Sequence, residues 1–258
     1  MIKRLINLEK FDLYVDASDT HVSSKLIKYK KYEPIVLGVM ETFLKPGMTF
    51  VDLGAHVGYF TLHGAFLVGL TGFVYAAEPD PSNFSLLQDN VELNKSKMGN
   101  VKALNIAISK YDGKGVLYLN SSNKGDHRIF SNPQAGLDTV AIDVKRFDTV
   151  FPIDYDFVKI DVQGAEPMVF SGMESFKSTK KRVVLFEFWA KGIMQAGTDL
   201  RKFYERLASM GNLYLVNAPG VNRFEPLTYD LYLTISNNTM NMSNRQFLLT
   251  NYKLDKGE

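Results

Sequence analysis

From Met48 onward five short apolar runs, MTFVDL, GFVYAAE, VKALNIA, DFVKIDV and RVVLFEF, alternate with helix-like stretches that begin near Val57, Pro81, Gly164 and Thr198. Runs of that length, rich in Val, Ile and Phe with few polar residues inside, read as strands covered on both faces. Their alternation with helical patterns dictates an α/β fold around a parallel sheet. Between the third and fourth runs, residues 109–155 carry GVLYLN, TVAIDV and RFDTVF, read as two extra strands and a short helix beside a Gly/Asn/Ser-rich stretch. After Met210, NLYLVN and DLYLTIS alternate Tyr and Leu in the manner of two more strands that close the sheet edge, separated by a loop with Pro219, Gly220 and Pro226. The chain thus divides into an N-terminal extension (1–47, helical near 33–44 and ending at Pro46-Gly47), a main domain (48–236) and a polar tail (237–258) expected to be poorly ordered at its end.

Composition narrows the function. A chain of 258 residues buries enough surface to need neither metal nor disulfide for stability. It has no cysteine, which removes thiolate zinc sites, iron-sulfur clusters and thiol nucleophiles. Its 30 Lys+Arg against 28 Asp+Glu give a net charge of +2, too little for a general field toward nucleic acid. The N-terminal MIKRLINLEKFDLYVD breaks its apolar stretch at Glu9, Lys10 and Asp12, so no secretory core is read there and a cytoplasmic location is expected. The most apolar stretch, residues 66–77, is cut by Gly69 and Gly72 and falls far short of the ~20 residues of a membrane span.

The chemistry is concentrated in Phe50-Val-Asp52-Leu-Gly54-Ala-His-Val-Gly58-Tyr-Phe, a buried strand running into a glycine turn and then a helix. Such a turn brings a ligand against backbone amides. Its D-x-G-x-x-x-G spacing differs from the G-x-G-x-x-G that admits a pyrophosphate. Glu78, at the end of the second strand, is placed to accept ribose hydroxyls. Asp52, Glu78, Asp80, Asp161 and Glu187 all fall at or just beyond carboxyl ends of strands, the edge where open α/β sheets bind ligands. An acidic crevice suits S-adenosylmethionine, with its ammonium and sulfonium, better than a dinucleotide with two phosphates.

VDLGAHVGYFTL, VYAAEPDPSNFSLLQDNVELN, VKALNIAIS and FVKIDVQGAEPMVFSGM together resemble the FkbM family of S-adenosylmethionine-dependent methyltransferases. KIDVQGAE at residues 159–166 is the sharpest part of the likeness, and GDHR at 125–128 resembles a sequence in part of that family. The resemblance runs from Met48 to Glu187 and does not reach the first 47 residues or the tail. It implies the Rossmann-like class I methyltransferase fold: a mostly parallel seven-stranded sheet with helices on both faces and an antiparallel edge strand. It also implies S-adenosylmethionine as cofactor and S-adenosylhomocysteine as product. Asp52, Gly54, Ala55, His56, Gly58 and Tyr59 then belong to the loop that holds the methionine portion, and Glu78 to the ribose. Pro79 and Asp80 flank the adenosine, Asn105, Ile106 and Ala107 line the adenine, and Asp161 and Gln163 stand beside the methyl group and acceptor.

The implied reaction is methyl transfer to an oxygen of a small-molecule, sugar or glycan acceptor, with no nucleic acid as partner. A base helps an alcohol lose its proton; the candidates are His127 and Asp161, then Glu187. Asp126, Arg128 and Glu166 are candidates for substrate contact, Arg128 through its forked donors. Blander readings stand beside these: Asp161 as a turn cap, Glu78 as a helix N-terminal charge, Glu166 paired with Lys159 or facing solvent, His127 on the surface. His56 and His63 lack a third metal ligand, His21 carries no signal, and Lys177, Lys180, Lys181 and Arg182 read as a solvated loop. The competing functions are an RNA methyltransferase, a non-catalytic cofactor-binding module, and a metal-assisted variant in which Asp161 and Glu187 bind magnesium. Asp161-Val-Gln163-Gly164 lacks the Pro-Pro-aromatic loop of base-amine methylation. Acceptor identity and oligomeric state stay open.

Overall fold

The computed structural model describes residues 1–120, 125–130, 138–151, 154–217, 223–239 and 245–254. Part of the Gly/Asn/Ser-rich stretch, the loop at Pro219 and Gly220, and residues 255–258 lie outside the described residues. The chain opens with an antiparallel hairpin, β1 (Lys3–Asn7) and β2 (Asp12–Asp16), followed by α1 (Val22–Tyr29) and α2 (Pro34–Phe43). The alternating core begins with β3 (Thr49–Leu53), α3 (Tyr59–Val68), β4 (Phe73–Ala77), α4 (Pro81–Asn94) and β5 (Asn100–Leu104). A separate small sheet follows, built from β6 (Ala107–Ser109), β7 (Gly113–Tyr118) and β8 (Thr139–Arg146) in the order β6-β8-β7. The chain then returns through α5 (Phe147–Val150), β9 (Phe157–Ile160), α6 (Glu166–Ser171) and β10 (Val183–Phe188) to α7 (Ala190–Gln195) and α8 (Leu200–Met210). It finishes with β11 (Asn212–Val216), β12 (Phe224–Pro226), α9 (Tyr229–Thr239) and β13 (Arg245–Thr250).

Among the described residues the main sheet has eight strands in the order β12-β11-β13-β10-β9-β3-β4-β5. From β5 to β10 every pairing is parallel, while β13 runs antiparallel to both β10 and β11 and β12 closes the edge antiparallel to β11. This is the expected class I methyltransferase architecture with one short strand added at its edge. Alternate residues of β10 divide between two cores: Val184, Phe186 and Phe188 pack with α6 to α9, whereas Val183 and Leu185 pack on the side of α2 and α3. Period-two burial on both faces is why the strands read as continuous apolar runs. Among the described residues no helix is long and apolar enough to cross a membrane.

Two expectations are corrected. The DLYLTIS segment is helical, not a strand, because Thr228 starts a helix there: its Oγ1 accepts the Leu231 N–H at 3.2 Å and its carbonyl takes the Tyr232 N–H at 2.9 Å. Tyr232, Ile235 and Ser236 then fall on one buried face at helical spacing. The partner of β11 comes instead from the presumed tail, where RQFLLT inserts between β10 and β11 with Phe247, Leu248, Leu249 and Thr250 buried.

The N-terminal extension is fastened to α4 by two asparagines. Asn90 accepts the Tyr14 N–H at 2.6 Å and returns a hydrogen bond to the Tyr14 carbonyl at 2.8 Å. Asn94 does the same for Asp12 at 3.2 and 2.8 Å. A four-residue step on a helix and a two-residue step on a strand both advance ~6 Å, so the amides saturate the free edge of β2 in register. Asn90 also donates to the Val57 carbonyl at 2.7 Å, linking this hairpin to the glycine turn.

Candidate active site

The strand order reverses between β3 and β9, since β4 and β5 lie to one side and β10 to the other. Ligands bind open α/β sheets at the carboxyl edge of such a reversal. A cavity of about 540 Å³ opens there, within the usual size of small-molecule sites. Each strand delivers its next residues to the cavity in spatial order: Ile106 after β5, Glu78 after β4, Gly54 to His56 after β3, Asp161 after β9 and Glu187 at the end of β10. Ile106, Ile108, Leu117 and Ile129 make the β5 end apolar, and Lys159, Asp161 and Glu187 make the β10 end charged.

The glycine turn is shaped by close packing. Gly54 has φ +76°, and a Cβ on it would collide with the Asp161 carbonyl oxygen. Gly58 has φ +92° and leads into α3, whose N-terminus has no side-chain cap. Between them His56, at φ 52°, turns its ring into the cavity wall. Both ring nitrogens are buried without a hydrogen-bond partner. Burial pushes its pKa down to about 4, so the imidazole is neutral.

Glu78 takes the His56 N–H on Oε2 at 2.8 Å and the Asp80 N–H on Oε1 at 2.9 Å. Burial still lifts its carboxyl to about 7, against those donors. Asn105 donates to the carbonyls of Glu78 and Pro79 at 2.9 and 3.0 Å, so it shapes this loop from outside the cavity lining. On the other side, Asp161 and Glu187 are bridged by Gln163, whose Nε2 donates to both at 2.7 and 3.0 Å. Gln163 adopts φ 54° to do so. Lys159 lies 3.6 Å from both Asp52 and Asp161 and 4.9 Å from the centre of the Phe60 ring. Burial opposes its charge most strongly, but Asp52, Asp161, Glu33 and Glu187 together hold the ammonium above the ordinary lysine value.

The FkbM methyltransferase domain model matches residues 52–214, more than half of the 258-residue chain. The chain belongs to the FkbM methyltransferase family. Among solved structures, the FkbM methyltransferase of Methylobacillus flagellatus KT matches 83% of this chain and 50% of its own length, at 15% identity and TM-score 0.47. TYW2 of M. jannaschii, solved with AdoMet, matches over 98% of this chain and 88% of its own, at 13% identity and TM-score 0.50. A SAM-dependent O-methyltransferase of Thermotoga maritima matches over 99% and 88%, at 10% identity and TM-score 0.49. At these identities the likeness is one of fold, and the chain spans half the length of the M. flagellatus protein. No curated protein matches the chain.

Several residues expected in the site of this FkbM-family chain lie elsewhere. Asp52 is fully buried beneath the turn, accepting from Thr61 at 2.7 Å, and does not line the cavity. Asp80 caps α4, taking the N–H groups of Ser82 and Asn83 at 2.6 and 2.9 Å. Glu166 is buried under its own loop, where Oε1 takes the N–H groups of Val162 and Gly164 at 3.1 and 3.3 Å; it neither meets the cavity nor reaches solvent. Asp126 and Arg128 are spent on each other through two parallel bonds of 2.7 and 2.8 Å. The Arg128 guanidinium also bonds Gln195 at 3.1 Å and stacks over Trp189 at 4.4 Å, which pins this loop to α7. His127 does line the cavity, but Nδ1 accepts the Asn120 N–H at 2.9 Å and Nε2 faces Asp80 at 3.3 Å. Both nitrogens being engaged, this geometry argues against His127 as a base.

The sequence reading missed one wall. His21, Val22, Lys25, Tyr32 and Glu33, all from the N-terminal extension, line the cavity. Glu33 at φ 42° and Pro34 start α2, and a Tyr-Glu-Pro helix start was the available signal. In the basic cluster near β10, Lys180 meets Asp154 and Asp156, both at 2.9 Å, and Arg182 is buried against Tyr155, while Lys177 and Lys181 are exposed. Among the described residues no group of three His, Asp or Glu side chains is placed to hold a metal ion.

Proposed function

We propose that this cavity binds S-adenosylmethionine and that the protein transfers its methyl group to an oxygen of a small-molecule, sugar or glycan acceptor. The observation that carries the reading is the graded order along the sheet edge: apolar after β5, the Glu78 carboxylate after β4, a glycine turn after β3, and charged groups after β9 and β10. That order fits an adenine, a ribose, and a charged amino-acid end in turn. The unpartnered imidazole nitrogens of His56 and the uncapped N-terminus of α3 supply polar groups that a bound cofactor would satisfy.

When bound, the cofactor supplies a methyl group carried on positively charged sulfur. Glu78 accepts the ribose hydroxyls, and those donors favour its ionised form. Ile106, Ile108, Leu117 and Ile129 exclude water around the base. Asp161, Gln163 and Glu187, linked in one hydrogen-bonded row, orient the acceptor; the Asp161 carboxylate would take the hydroxyl proton as the oxygen gains the methyl group, and holding two reactants in line is the protein's main contribution to such a displacement. The near-balanced charge of the chain, +2 overall, favours a small acceptor over RNA.

Calorimetric titration of the wild type and Glu78→Ala with S-adenosylmethionine, and separately with NAD, tests this reading. The expected result is binding of the sulfonium ligand alone, weakened tenfold or more in the variant. Preference for NAD, or no binding, rejects it. Methyl transfer from labelled cofactor to bulk RNA, with none to methyl glycosides, would reject the acceptor class.

A further inference from the structure

Among the described residues four carboxyl groups line the cavity: Glu33, Glu78, Asp161 and Glu187. Three are committed. Glu78 has a backbone N–H on each oxygen, Asp161 has Gln163 and Lys159, and Glu187 has Gln163. Glu33 differs, for its Oε2 is buried and has no hydrogen-bond partner. Asp52 and Glu166 also keep a carboxyl oxygen without a hydrogen bond, that of Asp52 facing Lys159 at 3.6 Å, but neither lines the cavity. A buried acceptor without a donor is costly, so such an atom marks a place where a donor is missing.

The position of Glu33 says which donor. It is brought in by the N-terminal extension, ahead of the region matched by the family model, and lies within the fields of Lys159 and Asp161 at the β9 end of the sheet edge. Glu78 stands two strands away, after β4. With the ribose at Glu78 and the base over the apolar β5 end, the amino-acid end of the cofactor points across β3 toward Glu33. We infer that Glu33 holds the α-ammonium of the cofactor's amino-acid end. The assignment rests on the cofactor reading above and adds a residue from outside the matched family region.

The neighbours of Glu33 fit that role. Tyr32, next to it in the chain, favours the ionised carboxyl, and Tyr32 is itself held by its backbone N–H donating to the Tyr59 hydroxyl at 3.2 Å, at the start of α3. The charged groups facing it are Asp161, Lys159 and Lys25. Burial, then the charge of Asp161, lifts the Glu33 carboxyl to about 7, against the opposing pull of Lys159, Tyr32 and Lys25. An arriving ammonium favours the ionised carboxylate, so binding near pH 7 releases a proton and tightens as pH rises from 6 to 7.5.

The test compares two ligands on the full chain. S-adenosylhomocysteine carries the amino-acid end, and 5′-deoxy-5′-methylthioadenosine lacks it. In Glu33→Gln, affinity for S-adenosylhomocysteine should fall tenfold or more while affinity for methylthioadenosine stays within twofold, and less proton should be released on binding in buffers of different ionisation enthalpy. Retained methylthioadenosine binding shows that the variant is folded; Glu33→Asp should recover part of the loss. Unchanged affinity for S-adenosylhomocysteine overturns the assignment, and if turnover alone is lost Glu33 belongs to the acceptor. Equal loss of both ligands also overturns it, reducing Glu33 to a shaper of the wall. A wild type that binds neither ligand instead sinks the cofactor reading itself.

Discussion

Glu78 and Glu33 both present buried carboxyls to one cavity, and both are lifted to about 7 by burial, yet they arrive by different routes. Glu78 directly follows β4, and the two N–H groups that fix its oxygens come from the adjoining turn and from two residues ahead. Glu33 ends the link between two helices of the N-terminal extension, whose hairpin is docked onto α4 by Asn90 and Asn94. One half of the site is thus written into a local strand-turn-helix unit, and the other is assembled from distant segments. Damage to the first should abolish the site outright, whereas damage to the second should remove one ligand contact and leave the rest.

The harshest way to break the comparison is Gly54→Ala. An added Cβ meets the Asp161 carbonyl oxygen, and φ +76° is strained for any side chain. Overpacking plus strain should cost about 3 kcal/mol or more, and binding of S-adenosylhomocysteine and methylthioadenosine should be lost together with a large fall in Tm. If Gly54→Ala binds both ligands normally, the close approach of β3 and β9 is not what shapes the turn.

Asn90→Ala attacks the other half. It strands the Tyr14 N–H and carbonyl and the Val57 carbonyl, at a cost of about 2 kcal/mol. Hydrogen exchange should show the hairpin opening before the sheet. S-adenosylhomocysteine should then bind more weakly, through Glu33, with methylthioadenosine less affected. Cooperative loss of both halves in one transition would show that the extension and the sheet do not differ in the way proposed.

This division also explains what could be read in the chain beforehand. The strands from β3 to β10 and the turn at Gly54 are continuous segments whose periodicity and glycine spacing are local, and Glu78 and Asp161 lie at their ends. Glu33 carries no such mark, because its meaning depends on where α2 docks. Arg128 and Glu166 misled for a related reason: residue type suggested substrate contact, but each is satisfied by a partner within its own neighbourhood. DLYLTIS alternates like a strand and is buried like a helix, and only the Thr228 start and the strand from residues 245–250 decide between the two.

Asp80→Ala is a milder probe of the same boundary. It removes the cap from α4, worth about 1 kcal/mol, and takes away the carboxylate facing His127. A small fall in Tm with cofactor affinity reduced less than in Glu78→Ala would confirm Asp80 as a support. An equal or larger loss of affinity would make it a direct contact.

The gentlest probe uses pH. Glu166 is buried outside the cavity, with its carboxyl raised from 4.5 to about 7 chiefly by burial. Its folded value therefore lies above its unfolded one, so the folded chain holds more protons between those limits and stability falls as pH rises through that window. Glu166→Gln removes the proton but keeps a carbonyl oxygen for the Val162 and Gly164 amides. Its Tm relative to wild type should climb between pH 5 and pH 7, at the equivalent of roughly 1 kcal/mol per pH unit, and the slope should be unchanged by S-adenosylhomocysteine. Glu33→Gln should show a slope of the same sign that shrinks when the ligand is present, because an ammonium then offsets the cost of the charge. If both slopes respond to the ligand alike, the distinction between a carboxyl that faces the cofactor and one that merely closes a loop does not hold.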